Sequence, residues 1–349
     1  MNCPDPEGSF PDLPDLGRLD ADGRPIGVLP DFARDPARLT ELYRFMTRVR
    51  VFDRRACALQ REGRIGTYPS CLGHEATHVG SAAALAPEDC LVPSYRECGA
   101  MLWRGVSMTD VLLYWAGDER GNRRGGALHD LPWCIPVGTQ SLHAAGVAMA
   151  FRARGEQRGA LTFIGDGATS QGAFYEALNV AGARQLPVVF VVVNNGWALS
   201  TSVSSQTAAK TLADKALAAG IPGSRVDGND VIAVREAVGG AMVRARAGHG
   251  ASLIEALVSS RMGDEHAVHR LDPLVRLRRY LRRLGAWDDV EETALSAECE
   301  HEVDGAVHTC FNLSPQPTDA MFDYLFASVP RHLERQKRRA RRYGQIAES

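Results

Sequence analysis

The chain has 349 residues, of which 45% are hydrophobic and 23% are charged, and its formal net charge at pH 7 is −2. This composition is ordinary for a soluble globular protein, and the length allows one large α/β domain or two average ones. The balanced charge argues against a nucleic-acid-binding protein, and no apolar run is long enough to cross a membrane. Arginine-rich runs at 276–283 and 335–342 are interpreted as solvated helix faces, with a docking surface for a partner protein as the alternative.

The eight cysteines form no CxxC pair and have no metal-type spacing. We therefore expect reduced cysteines that serve as small hydrophobic residues, and a cytoplasmic protein. The first residues are rich in proline and aspartate rather than basic and apolar, so they do not look like a secretion signal. Prolines recur up to position 30 and disfavour regular structure, which predicts an extended N-terminal arm over 1–34.

From residue 35 onwards, apolar residues recur at the spacing of amphipathic helices. This pattern predicts helices at 35–61, 74–85, 101–115, 142–154, 170–183 and 231–247. The segment 120–138 is rich in glycine and proline and is predicted to be an irregular loop. Three short apolar runs are predicted to be buried strands, at 161–164, 188–193 and 252–257.

β-Branched runs that alternate with helices are typical of a parallel sheet covered on both faces. The predicted fold class is therefore α/β, with a mostly parallel sheet between two helical layers. The predicted boundaries are an N-terminal arm at 1–34, an α/β domain at 35–265 and a C-terminal helical extension at 266–349.

The first two predicted strands each end in a residue suited to bind a metal ion. Asp166 follows the first strand within Gly-Asp-Gly, and Asn195 follows the second. The 26 residues from 168 to 193 provide one helix and one strand, so the two strand ends can be neighbours in the sheet. Because ligands bind outside the carboxyl ends of parallel strands, we expect Asp166, the Asn195 side chain and the Trp197 carbonyl to hold Mg²⁺ against a phosphate.

Nucleotide-binding loops of the common kinds are disfavoured. The chain has neither a GxGxxG loop with an acidic residue about twenty positions on nor a GxxxxGK[ST] loop. Asp166 could instead only cap the helix that follows it. Gly-Asp-Gly alone is a weak signal, but with Asn-Asn at this spacing, each after a buried strand, the signal is strong.

This pair of motifs resembles the thiamin diphosphate motif of thiamin-dependent enzymes. From about residue 35 to 344, the chain is similar to the E1 α subunit of 2-oxo acid dehydrogenase complexes, especially the branched-chain and bacterial pyruvate types. The segments that carry the resemblance are GRIGTYPSCLGHEATHVGSAAAL (63–85), PSYRECGAMLWRGV (93–106), IPVGTQ (135–140), GDGATSQGAFYEALN (165–179), VNNGWALS (193–200), KALAAGIPGSRVDGND (215–230), DPLVRLRRYL (272–281) and LFASVPRHLERQKRRARRYG (325–344). The resemblance implies a thiamin diphosphate-binding fold with thiamin diphosphate and Mg²⁺ as cofactors.

The resemblance also assigns roles to positions of this chain. Asp166, Asn195 and the Trp197 carbonyl match the metal ligands of the family. The positions that match cofactor-binding residues are Tyr95 and Arg96 at the diphosphate, Ile135 and Val137 at the aminopyrimidine, Gly165, Asp166, Gly167 and Ala168 in the Gly-Asp-Gly turn, and Asn195. A turn that binds K⁺ in some members matches Thr139 and Gln140. His129 is a candidate catalytic residue at the mouth of the site, or else a surface or buried structural histidine.

The family works as an assembly, so the resemblance implies partners. These are an E1 β subunit in an α2β2 heterotetramer, whose glutamate activates the cofactor, a lipoyl-bearing E2 component and a small 2-oxo acid. The implied reaction is oxidative decarboxylation with acyl transfer to lipoyl-E2. The tail at 325–344 favours a branched-chain 2-oxo acid; the alternatives are pyruvate as substrate, or a catalytically degenerate or regulatory α-like subunit.

Two positions depart from the family pattern. Val193 stands where branched-chain relatives commonly have an arginine that reaches the diphosphate, so one cationic contact is missing. The segment after Gly263 is shorter than the histidine-bearing loop that the family has at this place. His266 and His269 are candidates to replace that histidine, or else exposed loop residues.

Overall fold

The computed structural model describes residues 16–122, 128–259, 271–323 and 325–347, with side chains up to 343. The α-helices in these ranges are α1 Pro36–Arg61, α2 Glu75–Ala82, α3 Cys98–Trp103, α4 Met108–Trp115, α5 Thr139–Ala153, α6 Gly172–Ala183, α7 Val203–Gln206, α8 Lys215–Ala218, α9 Val231–Arg246, α10 Pro273–Arg283, α11 Asp289–Phe311, α12 Ala320–Asp323 and α13 Arg331–Ala347. The strands are β1 Cys90–Val92, β2 Ala160–Gly165, β3 Val188–Asn194, β4 Trp197–Ala198, β5 Thr201–Ser202, β6 Gly223–Asp227 and β7 Ser252–Leu257. Short 3-10 helices lie at Asp31–Arg34, Glu119–Asn122 and Gly167–Ser170.

Five strands form one sheet in the order β1-β2-β3-β7-β6, and every neighbouring pair is parallel. Within β3, Val189 and Val191 face one hydrophobic core while Phe190 and Val192 face the other, as the two-residue period of a strand requires. Helices α1, α2 and α9 contribute to the first core, and α5 and α6 to the second. The predicted α/β fold with a mostly parallel, doubly covered sheet is therefore confirmed.

Two edge strands, β1 and β6, were not predicted. β1 has three residues, too few to show a hydrophobic period. β6 has the sequence GSRVD and is partly exposed at the edge of the sheet, so it lacks the apolar run of a central strand. Strands with so little apolar content are recognised by their partners in the sheet rather than by their own sequence.

The single helix predicted at 101–115 is wrong. The helix α3 ends at Trp103 and α4 begins at Met108. Between them Gly105 has φ of +96°, a conformation that glycine adopts more easily than other residues. Ser107 then caps α4, because its side-chain oxygen accepts a hydrogen bond of 3.0 Å from the backbone N–H of Asp110.

Segments at both ends of the described chain pack on the α/β layers. The backbone N–H groups of Arg18 and Leu19 each donate to the Asp230 carboxylate at 2.7 Å. From the C-terminal side, the Glu292 carboxylate accepts hydrogen bonds from Tyr43 in α1 and from the indole of Trp287, both at 2.7 Å. The predicted boundaries at 34 and 265 stay predictions. No helix in the described ranges combines the length and apolarity needed to cross a membrane.

A buried ion cluster joins three helices beneath the sheet. Arg50 of α1 contacts the carboxylate of Glu75 in α2, and its Nη1 lies 2.9 Å from Oδ2 of Asp272. Burial raises the pKa of Glu75 despite the favourable charge of Arg50, so removal from water is the larger effect on this carboxyl. Asp272 also caps α10, since its side chain accepts hydrogen bonds from the N–H groups of Leu274 and Val275. One side chain thus serves both the cluster and the helix.

We predict that Asp272→Ala lowers the free energy of unfolding by about 3 kcal/mol, because it leaves a buried guanidinium short of counter-charge and removes a helix cap. Chemical denaturation of this variant measures the loss. The matched control is Asp289→Ala, which removes an exposed carboxylate paired with Arg282 and should change stability by less than about 1 kcal/mol. Equal effects of the two substitutions would show that the buried cluster contributes nothing special.

Candidate functional site

The ends of β2 and β3 lie side by side. The two strands run parallel with Gly165 opposite Val193, and the backbone N–H of Asp166 donates to the carbonyl of Val193 at 3.2 Å. Asp166 therefore leaves the sheet next to Asn195, which follows β3. The expectation that the two strand ends are neighbours is confirmed.

The Asp166 carboxylate is buried, with 4% of the residue exposed, and it faces a cleft at this edge of the sheet. Burial raises the pKa of Asp166, while a hydrogen bond from the amide of Gln206, at 3.1 Å, opposes the shift. Within the described residues no cationic side chain forms an ion pair with this carboxylate. Its side chain also makes no capping hydrogen bond to the 3-10 helix Gly167–Ser170 that follows. The side-chain hydrogen bond comes from a neutral amide, and the charge of Arg96 acts on Asp166 without an ion pair, so this buried carboxylate suits a bound cation.

The two asparagines that end β3 have different environments. The Asn194 side chain is tied into the fold, because it donates to Glu255 at 2.7 Å and accepts from the N–H of Gly196 at 2.9 Å. Asn195 lines the cleft, and its side-chain oxygen accepts a hydrogen bond from the N–H of Trp197 at 3.1 Å. Trp197 also lines the cleft and starts the small hairpin β4–β5. The cleft thus has an acid from one strand end and an amide from the next.

The Gly-Asp-Gly turn fits closely against that hairpin. A Cβ atom added to Gly167 would lie 2.5 Å from the Cβ of Ala198, which no real side chain permits. Gly165 has open space instead. Because Gly167 has no side chain, the hairpin can cover the turn. The turn and the hairpin both line the cleft.

The cleft has a volume of about 620 Å³. Predicted site residues that line it are Tyr95, Arg96, Val137, Gln140, Gly165, Asp166, Gly167, Ala168, Asn195 and Trp197. Ile135 and His129 are exposed and are not among the residues that line it, and neither is Thr139. His266 and His269 lie outside the described residues.

Arg96 supplies the positive charge of this cleft. Its guanidinium lies over the ring of Tyr95, 5.6 Å from the centroid, and donates to the carbonyl of Ser70. Val193 also lines the cleft, and its apolar side chain has neither a positive charge nor a hydrogen-bond donor for an anion. His74 is neutral there, because burial, followed by the proximity of His78 and Arg96, lowers the pKa of His74 well below its usual value. Arg96 is thus the one cationic side chain among the described residues that line the cleft.

Several residues of the cleft were not predicted. They are His74, Ser94, Glu97, Gln171, Ala198 and Leu199. Glu97 accepts hydrogen bonds from the backbone N–H and hydroxyl of Ser94, and burial raises its pKa. These residues stand in or beside motifs that carried the family resemblance, but no chemical pattern of their own marked them.

The described residues contain no group of three or more His, Cys, Asp or Glu side chains arranged to hold a metal ion. A metal ion bound at Asp166 would therefore be coordinated mostly by amide and carbonyl oxygens of the protein and by oxygens of a bound small molecule. That donor set suits Mg²⁺, which is usually held by one or two carboxylates together with phosphate oxygens. The residues present fit a magnesium diphosphate better than a free metal ion.

Comparison with known proteins places the chain in a family. Residues 43–317 match the family model described as "Dehydrogenase E1 component". Proteins named "Pyruvate dehydrogenase E1 component subunit alpha" from Staphylococcus epidermidis and Staphylococcus aureus are each 36% identical over 335 residues, which is 91% of this chain and 90% of theirs. The chain therefore belongs to the dehydrogenase E1 component family, as the α subunit of a 2-oxo acid dehydrogenase that depends on thiamin diphosphate.

Proposed function

We propose that this chain is the α subunit of a pyruvate-type E1 enzyme and binds thiamin diphosphate through Mg²⁺. The observation that carries the proposal is the position of Asp166 and Asn195 at adjacent strand ends on one cleft. With a β subunit, in an α2β2 assembly, the enzyme decarboxylates its 2-oxo acid oxidatively and passes the acyl group to a lipoyl-bearing E2.

The metal site is built from three oxygens of this chain. The Asp166 carboxylate, the Asn195 side-chain oxygen and the Trp197 carbonyl would hold Mg²⁺, and diphosphate oxygens would complete its coordination. The support is electrostatic, since a buried carboxylate without a cationic partner gains most from a divalent ion. We propose a second cation site, for K⁺, at Thr139 and Gln140, supported by the buried Oε1 of Gln140, which has no hydrogen-bond partner among the described residues.

The rest of the cleft is suited to hold an anion and an aromatic ring. Arg96 can bind phosphate oxygens through two parallel N–H donors, and Gly167 and Ala168, which also line the cleft, can offer backbone N–H groups. Val137 offers apolar contact and backbone groups for the aminopyrimidine; Ile135, outside the lining, has the weaker case. When bound, thiamin diphosphate supplies a carbon nucleophile and an electron sink for decarboxylation.

The rim of the cleft supports a β partner. Leu199, which lines the cleft, is 91% exposed, and Val137, which also lines it, is exposed as well. Exposed apolar groups near a functional site typically mark a surface that another protein covers. This surface is consistent with an active site completed by the β subunit.

Pyruvate is the proposed substrate because the staphylococcal relatives are named for it. The case for branched-chain 2-oxo acids depends on the tail at 325–344. The described residues that line the cleft all lie between 74 and 199, so the described part of the tail supplies none of them. A degenerate, regulatory subunit is disfavoured because Asp166 and Asn195 are both present on the cleft.

We predict that Asp166→Ala lowers the affinity for Mg–thiamin diphosphate about 100-fold or more, because it removes the charged metal ligand. Calorimetric titration of the assembled α and β subunits measures this loss. The thermal midpoint should not fall, since the change removes a buried carboxylate that has no cationic partner. Glu300→Gln, an exposed carboxylate on α11, is the control and should bind as the unsubstituted protein does. Unchanged affinity in Asp166→Ala would contradict the metal assignment.

We predict that the assembled enzyme has a kcat/KM for pyruvate at least about 10-fold above that for 3-methyl-2-oxobutanoate, since each extra methylene changes binding in a fitted pocket by about 10-fold or more. Release of CO₂ from both substrates measures the ratio, with thiamin diphosphate omitted as the blank. A preference for 3-methyl-2-oxobutanoate would contradict pyruvate as the substrate and support a branched-chain 2-oxo acid, the alternative that the tail favours. Cofactor binding without release of CO₂ from either would favour the regulatory subunit.

A further inference from the structure

Lys215, at the first position of α8, is buried, with 6% of the residue exposed. Its Nζ donates to the carbonyl of Thr169 at 3.0 Å and to the hydroxyl of the same residue at 3.1 Å. It also lies 5.1 Å from the centroid of the Tyr175 ring. Lysines are almost never buried unless they are paired with an opposite charge. Yet among the described residues no carboxylate forms an ion pair with this ammonium group.

The atoms that Lys215 contacts belong to the turn of the cofactor site. Thr169 is the third residue of the 3-10 helix Gly167–Ser170, and its hydroxyl donates to the carbonyl of Asp166 at 2.7 Å. Gly167 and Ala168, just before Thr169, line the cleft. Lys215 therefore holds the back of the turn whose front faces the ligand.

The charge of this lysine has no counterpart within the described protein. A buried cation costs several kcal/mol unless an anion compensates it. The proposed ligand, a diphosphate, would bring negative charge to the other side of the same short turn. It would also find only Arg96 as a cationic side chain on the described cleft wall, because Val193 is apolar.

We propose that Lys215 is a positioning residue for the diphosphate of the cofactor: it fastens the Asp166–Ser170 turn, and its charge attracts the anion from behind that turn. The proposal rests on the proposed function, since it takes the diphosphate to bind in this cleft. A lysine at this position should affect anionic ligands and a free metal ion differently. A cation behind the turn strengthens binding of an anion and does not help a free Mg²⁺ ion.

Three variants separate charge from packing. Lys215→Met keeps the length of the side chain and removes its charge and its hydrogen bonds. Lys215→Gln removes the charge but retains an N–H donor, on a side chain one atom shorter. Lys215→Arg restores the charge. Lys210→Met, an exposed lysine in the segment before α8, is the matched control.

The measurement is the affinity of the assembled α and β subunits for Mg–thiamin diphosphate, for thiamin monophosphate and for Mg²⁺ alone. Quenching of tryptophan fluorescence provides the signal, since Trp197 lines the cleft. We expect Lys215→Met and Lys215→Gln to bind the diphosphate about 10-fold more weakly, a change of about 1.4 kcal/mol. The loss should be smaller for the monophosphate and absent for Mg²⁺ alone. Lys215→Arg should recover most of the diphosphate affinity, and Lys210→Met should lose none.

Equal losses for all three ligands would overturn the proposal, because they would show that Lys215 only supports packing. Unchanged diphosphate affinity in both neutral variants would overturn it as well. If Lys215→Met does not fold, Lys215→Gln and Lys215→Arg still decide the question, since they differ in charge while both retain N–H donors. Failure of the unsubstituted complex to bind thiamin diphosphate would instead refute the proposed function.

Discussion

The parallel register of β2 and β3 is the constraint on which the site depends. Because Gly165 lies opposite Val193, Asp166 leaves the sheet beside Asn194, the last residue of β3, and Asp166 and Asn195 both line one cleft. Shifting a strand by one residue sends every side chain to the opposite face. The two hydrophobic cores prevent such a shift, since Val191 and Val192 are fully buried on opposite faces of the sheet. Ordinary packing energy thus maintains the geometry of the ligands.

Three charged side chains lie around the turn that follows β2. The Asp166 carboxylate faces the cleft and the Lys215 ammonium lies behind the turn, each without an ion-pair partner among the described residues, and Arg96 lies on the wall. Asp166 and Lys215 do not pair directly, so each keeps an unbalanced charge inside the fold. A magnesium diphosphate carries both signs and would compensate the two together. Under the proposed function, the bound ligand would offset the cost of these two buried charges.

The sequence was most informative where local pattern and chain order were enough. Mostly apolar runs identified β2, β3 and β7, and the 26 residues between the two motifs indicated that their strand ends are neighbours. The sequence was least informative where distant residues decide. Gln206 and Lys215 reach the Asp166–Ser170 turn from 40 and 46 residues away, and nothing local to either marks such a contact. His129 and Ile135 were chosen by resemblance alone, and the structure leaves both outside the cleft lining.

The hydrogen bond from Gln206 to Asp166 has a consequence for how the site can evolve. A metal ion bound at Oδ2 of this carboxylate would share that oxygen with the Gln206 amide of α7 or displace the amide. The short segment of β4, β5 and α7 also covers Gly167 at its closest approach. Substitutions in this segment can therefore change how readily a metal ion binds at Asp166, even when Asp166 and Asn195 themselves are unchanged.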